Sequence, residues 1–331
     1  IVEIAKKAGV SPATVSRALR GMHHVNERTR QRIIDAAKIL DYPIRPDLLP
    51  RSESSRTNTI GVIAPFLSRW YFSQSVAGVE QALREAGMDL LLYNFAQIDA
   101  RQRVFQQKKL VGKVDGLIVI SLPPTEREFE QILGLGIPVS LLGIASDRCS
   151  SVSIDDVKGA ELATQHLIDM GHQDIAIMVG QNAFNFNFEV ADQRKTGFLK
   201  TLEANGITFN PAFEIVADFD SHTSELAMTE FLNRKKLPTA IFCESDEMAF
   251  GAIKAIRKKG LRVPEDISIV GYDDHEFAAT IGLTTISQPV QFLGQLAASQ
   301  IMARIEKPES STASMKVPIS LVIRESVRDL T

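Results

Sequence analysis

Apolar residues recur at helical spacing through the first forty positions of the chain and predict three short helices. Gly9 is placed to end the first helix and Ser11 to cap the second. Pro12 would occupy the first position of the second helix, where its missing N–H costs nothing. Two short helices joined so tightly are typical of a helix-turn-helix, predicted here over Val2 to Arg20. The apolar stripes comprise Ile4, Ala5, Ala8 and Val10, then Val15, Ala18 and Leu19, then Ile33, Ile34, Ala37 and Leu40.

Beyond residue 60 the pattern changes to short apolar runs that alternate with amphipathic helical stretches. Repeated βα units of this kind predict an α/β fold in which helices cover parallel sheets. At least seven strands over about 270 residues fit two doubly wound lobes better than one sheet. The expected strands are Ile60–Ala64, Leu90–Tyr93, Gly116–Ile120, Pro138–Leu142, Ile175–Val179, Thr239–Phe242 and Ile267–Val270, and the helices between them include Val76–Ala86, Gly159–Met170, Lys195–Asn205 and Glu247–Lys259. Residues 43–58 carry Pro43, Pro46, Pro50 and a polar run, and they are predicted to be a linker.

Charge is distributed unevenly along the chain. The 331 residues carry a formal net charge of −3, which does not by itself suggest nucleic acid. Residues 1–58, however, hold 11 Lys and Arg against 6 Asp and Glu, whereas the remainder holds 26 against 34. This asymmetry favours a basic DNA-binding arm on an acidic body.

Sequence signatures of catalysis and metal binding are missing. The chain has no Gly-x-Ser-x-Gly elbow, phosphate loop or His-Glu-x-x-His motif, and its 6 histidines are scattered. We therefore predict no catalytic residue, no metal and no cofactor. Cys149 and Cys243 lack metal-ligand spacing and are expected to be buried free thiols, as suits a reducing cytosol. Without a signal peptide or an apolar run of about 18 residues, we expect a cytoplasmic protein, associated with the nucleoid when bound to DNA and without a membrane partner.

The second helix of a helix-turn-helix lies in the major groove and reads base edges with its N-terminal residues. Arg17 could contact guanine with two hydrogen bonds, and Ala13 could pack on a thymine methyl group. Thr14, Ser16, Asn26 and Thr29 have the size expected of residues that contact phosphates. Leu49 belongs to the predicted linker. The predicted DNA-binding set is Ser11, Pro12, Ala13, Thr14, Ser16, Arg17, Asn26, Thr29 and Leu49. The alternative is a small helical bundle with a solvated polar face.

The run from Ile4 to Leu19 resembles the N-terminal signature of the LacI/GalR family of bacterial transcription regulators. The resemblance covers nearly the whole chain, with its motifs in order. They are Val25–Arg30, Leu40–Tyr42, Thr59–Val62, Val114–Ile118, Ala240–Phe242, Asp246–Ala249, Gly271–Asp274 and Leu283–Ile286. It implies a core like a periplasmic sugar-binding protein, with two α/β lobes and a ligand cleft between them.

The resemblance also implies a division of the chain. The helix-turn-helix domain is expected over residues 1–45, a hinge over 46–58, and the effector-binding and dimerisation core over 59–331. Within the core, the N-lobe is expected at about 59–158 plus 291–320 and the C-lobe at about 159–288 plus 321–331. The family implies a homodimer on a pseudo-palindromic operator, most often as a repressor of carbohydrate-use genes, with a sugar or sugar derivative as effector.

Carried over residue by residue, the expected effector-binding set is Leu67, Ser68, Trp70, Tyr71, Phe72, Arg194, Phe219, Ser245, Asp246, Asp273 and Gln288. Carboxylates and an arginine fork bind vicinal hydroxyls with paired, charge-assisted hydrogen bonds, and an aromatic face covers the apolar side of a sugar ring. Each has a structural alternative. Asp246 could cap its helix, Trp70 and Phe72 could be core or interface residues, and Arg194 could pair with Asp192 or Glu189. Asp274 is expected to be structural.

Three positions depart from the family pattern. Glu53 stands where a hinge leucine normally enters the minor groove, and Pro50 interrupts the hinge helix, so Leu48 or Leu49 is expected to act as a substitute. Gly143 stands where many sugar-responsive members carry an aspartate. The loop from Gln181 to Val190 contains Phe184, Phe186 and Phe188, which are expected to face either the cleft or the lobe surface.

Two other functions remain open at the sequence level. One is a regulator that responds to a nucleobase or a protein corepressor, and the other is a sugar-binding receptor without DNA function. The effector, its direction of action, the operator sequence, the regulated genes and the choice between dimer and tetramer are not readable from the chain.

Overall fold

The computed structural model describes residues 1–19, 25–40, 42, 56–94, 110, 112–181 and 189–331. Arg20, most of the expected hinge with Leu48, Leu49, Pro50 and Glu53, and the phenylalanines at 184, 186 and 188 lie outside the described residues. The helices are α1 Val2–Ala8, α2 Pro12–Ala18, α3 Glu27–Ile39, α4 Trp70–Glu85, α5 Glu126–Leu133, α6 Asp156–Asp169, α7 Val190–Ala204, α8 Ser221–Phe231, α9 Asp246–Lys258, α10 Glu276–Thr280 and α11 Val290–Glu306. The strands are β1 Thr59–Ala64, β2 Asp89–Asn94, β3 Gly116–Ile120, β4 Val139–Leu142, β5 Ser150–Ser153, β6 Ile175–Gly180, β7 Glu214–Ala217, β8 Ala240–Cys243, β9 Ser268–Asp273, β10 Thr284–Ser287, β11 Ser314–Lys316 and β12 Ser320–Val322.

The three N-terminal helices form a small core of their own, as their apolar stripes predict. Gly9 adopts a left-handed conformation with φ 63° and ends α1. The Ser11 hydroxyl accepts a hydrogen bond from the Thr14 main-chain N–H at 3.1 Å, which caps α2. Asn26 caps α3 in the same way through the N–H of Thr29, at 2.8 Å.

Two six-stranded sheets follow. The first has the order β11-β5-β4-β3-β1-β2 and is parallel throughout. The second has the order β12-β10-β9-β8-β6-β7, with only the β10–β12 pair antiparallel. Helices pack on both sheets. The predicted α/β class with doubly wound sheets is therefore confirmed. We call the first sheet with α4, α5 and α11 the N-lobe, and the second sheet with α6 to α10 the C-lobe.

The chain crosses between the lobes three times, at residues 154–155, 288–289 and 317–319. Gln288 lies at one of these crossings. Because β11 returns to the N-lobe before β12 joins the C-lobe, neither lobe is a single continuous segment. The predicted boundaries of the domains remain a prediction.

Two buried strands, β5 and β10, do not show the apolar pattern of a strand in the sequence, because most of their buried side chains are hydroxyls. The strand β5 reads Ser-Ser-Val-Ser and is wholly buried. Its Ser151 hydroxyl bonds that of Ser314 on β11 at 2.9 Å, so the buried polar atoms are satisfied. The buried strand β10 likewise begins with two threonines. Sequence periodicity could not reveal such strands.

Close packing joins the middle of α4 to the start of α11 within the N-lobe. A Cβ placed on Gly78 would lie 2.0 Å from the main-chain oxygen of Gln291 in α11. Only glycine allows the two helices to approach so closely.

Cys149 and Cys243 are buried free thiols. In the part of the chain that the structure describes, no helix combines the length and apolarity needed to cross a membrane.

Candidate functional site

A cavity of about 390 Å³ lies between the lobes, at the carboxyl ends of the parallel strands. Its volume falls in the range of small-molecule sites. Seven of the eleven predicted effector-binding residues line it: Tyr71, Phe72, Arg194, Phe219, Ser245, Asp273 and Gln288. They come from both lobes and from the crossing at 288–289, so the cavity is an interlobe cleft.

The other four predicted residues do not line the cleft. Leu67 and Ser68 are exposed ahead of α4. Trp70 points to the rim, where it contacts the C-lobe. Asp246 is fully buried, and its carboxylate accepts hydrogen bonds from the main-chain N–H of His275 at 2.8 Å and from the Thr285 hydroxyl at 2.7 Å. Asp246 therefore ties α9 to its neighbouring loop, while Ser245 provides the cap of α9.

Arg194 is the centre of a buried polar network beneath the cleft. Its Nε and Nη2 atoms each lie 2.8 Å from Oδ1 of Asp156, at the start of α6. Its Nη1 donates to the carbonyl of Glu244 and lies 4.0 Å from Asp273. Burial alone would lower the pKa of Arg194, but the field of Asp156 and Asp273 outweighs it, and the pKa is raised. The expected alternative partners on its own helix are not used.

Asp273 ends β9 with a φ of 124°, a conformation that non-glycine residues rarely adopt. Oδ1 of Asp273 accepts a hydrogen bond from the Gln288 amide at 2.5 Å. Burial raises the pKa of Asp273 to about 7, although Arg194 and Gln288 favour the ionised form. The next residue, Asp274, pairs with Arg324 at 2.7 Å outside the cleft, in keeping with its expected structural role.

The N-lobe floor of the cleft explains the departure at position 143. Gly143 has φ 79°, and a Cβ there would lie 2.2 Å from the Ser121 hydroxyl oxygen and 2.8 Å from that of Tyr71. The Ser121 hydroxyl donates to Tyr71 at 3.1 Å. Burial raises the pKa of Tyr71 to about 12, so it remains a neutral hydroxyl. The space that an aspartate would occupy is filled by this pair.

Phe219 lies directly against the backbone of β6. A Cβ on Gly180 would come within 1.9 Å of the Phe219 ring. The missing side chain at Gly180 therefore leaves room for the Phe219 ring beside the cleft, and Phe72 contributes a second aromatic ring from the N-lobe. Aromatic rings of this kind can cover the apolar face of a sugar or a planar base.

Several residues that line the cleft are not among the eleven predicted effector-binding residues. They are Arg69, Ser121, Asp155, Asp156, Glu189, Gln193, Glu247 and Lys316. Ser121 and Asp155 follow β3 and β5 almost directly, and that position at the carboxyl end of a parallel strand was the available signal. Lys316 belongs to a short strand that no periodicity marks.

Among the described residues, the cleft carries more negative than positive charge. Its cations are Arg69, Arg194 and Lys316, and its carboxylates are Asp155, Asp156, Glu189, Glu247 and Asp273. Asp156 is paired with Arg194, and Asp155 lies 2.9 Å from Lys316. Arg69 lies in the field of Asp218, Asp220 and Glu247. No metal-binding cluster of His, Cys, Asp or Glu occurs among the residues whose structure is described.

A second concave surface lies outside the cleft, on α9 and α10. This surface, which we call the C-lobe groove, has a volume of about 540 Å³. Its lining is apolar with a basic edge: Phe250, Ile253, Lys254, Arg257, Lys258, Phe277 and Ile281. Phe277 is 58% exposed, which is unusual for so large an apolar side chain.

The predicted DNA-reading residues lie on the outer side of the N-terminal helices. Ser11, Pro12, Ala13 and Arg17 are exposed, while Thr14 and Ser16 are half-buried. Val15 and Ala18 face the small core instead. At the start of α3, Asn26 is exposed and Thr29 half-buried. Arg32 donates to the carbonyl of Ala8 and thereby links α3 to α1. Leu49 lies outside the described residues.

The N-terminal helices and the two-lobed core both resemble parts of known transcription regulators. Residues 1–43 match the bacterial regulatory proteins of the lacI family, and residues 164–327 match a periplasmic binding protein-like domain. The HTH-type transcriptional repressor PurR of Proteus mirabilis is 35% identical over 99% of this chain and 97% of its own length. The probable HTH-type transcriptional repressor ExuR of Bacillus subtilis is 33% identical over 100% of this chain and 99% of its own.

Solved structures agree. A complex of the transcriptional regulator CelR with cellobiose has a TM-score of 0.73 at 28% identity and covers 98% of both chains. The lac repressor dimer bound to operator and the anti-inducer ONPF has a TM-score of 0.71 at 29% identity and covers 98% of both. A LacI family regulator from Enterococcus faecium with bound ribose has a TM-score of 0.73 at 28% identity, over 82% of this chain and 100% of its own.

Proposed function

The chain belongs to the LacI family of ligand-responsive bacterial transcription regulators, and on that basis we propose a repressor whose effector is an uncharged, sugar-like molecule. It binds a pseudo-palindromic operator as a homodimer through residues 1–45. Its operator affinity changes when the effector occupies the interlobe cleft. Its target genes are those of carbohydrate use. It acts by binding, without a catalytic step, and its site of action is DNA in the bacterial cytoplasm.

The observation that carries this proposal is the convergence of Arg194, Asp156 and Asp273 on a cleft that Phe72 and Phe219 also line. Ionised groups held by partners make strong, directional hydrogen bonds to vicinal hydroxyls. Aromatic rings cover the C–H face of a sugar ring. A ligand that carries a phosphate or a carboxylate group would bind poorly in this cleft. The carboxylates that line the cleft outnumber its cations and would repel the negative charge of the ligand.

A thermal-shift screen tests the effector class. Ribose, cellobiose and other neutral sugars are compared with uronates, sugar phosphates and nucleobases. The true effector should raise the melting temperature, because ligand at about 100 times its Kd stabilises the folded state by about 2.7 kcal/mol. We expect a neutral sugar to give the largest shift and Arg194→Ala to abolish it.

The outcome decides between classes. If only a nucleobase stabilises the protein, the proposed sugar effector is wrong. The effector would then be a planar base that contacts Phe72 and Phe219. Stabilisation by a uronate or sugar phosphate alone would contradict the argument from charge. A protein that binds sugar but no DNA would be a receptor rather than a regulator, and an electrophoretic mobility assay on selected operators detects that case.

The C-lobe groove is proposed as part of the dimer interface. A two-fold interface must be complementary to itself, and this one offers an apolar centre with both charges at its edge. Phe277 and Ile281 form the centre. Lys258 and Lys254 extend from α9 toward Glu225, which lies beside the groove. A second copy of the chain would therefore cover the apolar centre, while Lys254 and Lys258 remain paired with Glu225 of their own chain.

A further inference from the structure

Two arginines of α3 reach the ends of the two helices that form the helix-turn-helix. Nη1 of Arg30 donates to the carbonyl of Ala18, the last residue of α2, at 3.4 Å. Nη2 of Arg32 donates to the carbonyl of Ala8, the last residue of α1. The last carbonyls of a helix have no partner within the helix, and a cation there also interacts favourably with the helix dipole. We call these two contacts the arginine clamp.

The arginine clamp holds α3 from two sides. Successive helix residues are about 100° apart, so Arg30 and Arg32 leave α3 on the two sides of Ile33, which is fully buried in the small N-terminal core. Gly9 makes room for the guanidinium on the side of α1, because a Cβ there would lie 3.0 Å from Nη2 of Arg32. The α3 helix is therefore joined to both α1 and α2 by polar contacts as well as by its apolar face.

The α2 helix depends on such contacts because apolar packing alone holds it weakly. Of its seven residues, Val15 and Ala18 are the buried ones. It also packs on α3 less extensively than α1 does. A helix of about two turns that is held along one edge can tilt about that edge. A contact at the carbonyl of Ala18 limits this tilt at the C-terminal end of α2.

We propose that Arg30 and Arg32 are positioning residues for DNA recognition, which set the orientation of α2 rather than bind phosphate. The inference rests on the proposed operator binding. A recognition helix reads base edges only where its side chains meet them in hydrogen-bonding geometry, so a tilt of α2 removes base contacts such as that proposed for Arg17. Non-specific binding depends on the neutralisation of phosphates and carries no sequence information. The arginine clamp therefore contributes to specificity although neither arginine reads a base.

The test uses the full chain and two duplexes of equal length. One duplex is selected from random DNA by the wild type, and the other has the same bases in scrambled order. Fluorescence anisotropy gives the dissociation constants of the wild type, Arg30→Ala, Arg32→Ala and Arg28→Ala between about 50 and 200 mM salt. Arg28 is the matched control, because it is an exposed arginine of the same helix and its substitution removes the same charge.

The variants should differ in the duplex that they lose and in their dependence on salt. We expect Arg30→Ala and Arg32→Ala to bind the selected duplex about fivefold or more weakly, the lower end of the discrimination given by one base contact. Their affinity for the scrambled duplex, and the slope of log affinity against log salt, should stay close to those of the wild type. Arg28→Ala should weaken both duplexes alike and lower the slope by about 0.9 for each copy of the chain, as the loss of a phosphate contact does.

Conservative variants separate a loss of orientation from a loss of folding. Circular dichroism and thermal melting identify a temperature at which every variant is folded, and binding is measured there. Arg32→Lys keeps a cationic donor for the carbonyl of Ala8, and we expect it to recover most of the affinity for the selected duplex. If an alanine variant does not fold, the lysine variants at the same positions are compared with Arg28→Lys by the same salt titration, and a slightly weaker, sequence-selective loss is expected because lysine lacks the planar fork.

Two results would overturn the inference while operator binding stands. If Arg30→Ala and Arg32→Ala weaken both duplexes and lower the salt slope as Arg28→Ala does, the two arginines are phosphate contacts. If these variants lower the melting temperature and leave both dissociation constants unchanged, the arginines only stabilise the fold. A wild type that selects no duplex and binds all DNA equally would instead contradict the proposed function, and the inference would fail with it.

Discussion

Asp273 combines three features at one residue: a left-handed backbone, a buried carboxyl and contact with the cleft. A strained conformation persists only where the surrounding structure holds it, and here the Gln288 amide holds the carboxylate. Nearby Arg194 supplies the opposing charge. The geometry aims an acceptor at whatever occupies the cleft.

The titration of Asp273 should make effector binding depend on pH. Burial raises its pKa to about 7, and an effector hydroxyl that donates to the carboxylate binds only the ionised form. Affinity should therefore be constant above pH 8 and fall by up to about tenfold per pH unit below pH 7. Calorimetric titration between pH 5.5 and 8.5, with the sugar that stabilises the protein most, measures this. Asp273→Asn, which keeps an acceptor for Gln288, should bind more weakly and without the pH dependence.

Arg17 should carry base specificity in the N-terminal helices. It is exposed on α2, beyond the buried Val15 and Ala18. Arg17→Ala should cost about 1–3 kcal/mol of discrimination at one base pair of each half-site. Selection of binding sites from random DNA measures the change. Arg28→Ala, at an exposed residue of α3, should weaken all sequences about equally. Equal loss of specificity in both variants would contradict the assignment.

At the scale of elements, the cleft depends on how closely α4 lies against α11. The start of α4 carries Trp70, Tyr71 and Phe72 to the rim and the floor of the cleft. The contact at Gly78 sets that position, since the Gln291 backbone leaves no room for a side chain. The helix pair is therefore a structural support for the effector site.

Gly78→Ala should destabilise the core by about 1–3 kcal/mol, the usual cost of overpacking. It should also weaken effector binding, because α4 must shift away from α11 and carry Tyr71 with it. Chemical denaturation followed by circular dichroism and sugar titration measure the two effects. Ala77→Ser, at the exposed neighbouring position of the same helix, is the control and should change neither. An unchanged midpoint for Gly78→Ala would show that the contact is easily relaxed.

At the scale of the whole molecule, the cleft and the C-lobe groove are separate surfaces with different chemical character. The cleft lies between the lobes and contains buried charged side chains, whereas the groove is apolar with a basic edge and is open to solvent. A dimer carries two N-terminal domains, one for each half-site of a pseudo-palindromic operator.

Phe277→Glu should separate the protomers and weaken operator binding together. Burial of the new carboxylate in the apolar centre costs its hydration, and the loss of the Phe277 ring removes the apolar surface that the partner would cover. We expect the dimer dissociation constant to rise by at least about thirtyfold, as for other interface residues whose loss costs more than about 2 kcal/mol. Sedimentation and mobility-shift titrations measure both quantities. Leu226→Ala, an exposed apolar residue of α8, serves as the control. A normal dimer in Phe277→Glu would move the interface elsewhere.

The sequence by itself predicted the fold class and the three N-terminal helices, and its resemblance to the LacI/GalR family implied eleven effector-binding residues, of which seven line the cleft. Apolar spacing reveals helices and buried strands, and caps such as Ser11 and Asn26 are local, so each is readable without the rest of the chain. Residues that the resemblance implied, such as Ser245 and Asp273, lie at the carboxyl ends of β8 and β9, which share one edge of the sheet.

Only the tertiary structure decided which side chains meet. It moved Trp70 from the cleft to the rim, gave Asp246 a structural role and paired Arg194 with Asp156, 38 positions away. It also filled the space beside Gly143 with Ser121 and Tyr71. These outcomes depend on the packing of two lobes that the chain crosses three times. Contacts between distant segments leave no periodic trace in the sequence, because their spacing is set by the topology and not by the repeat of a helix or strand.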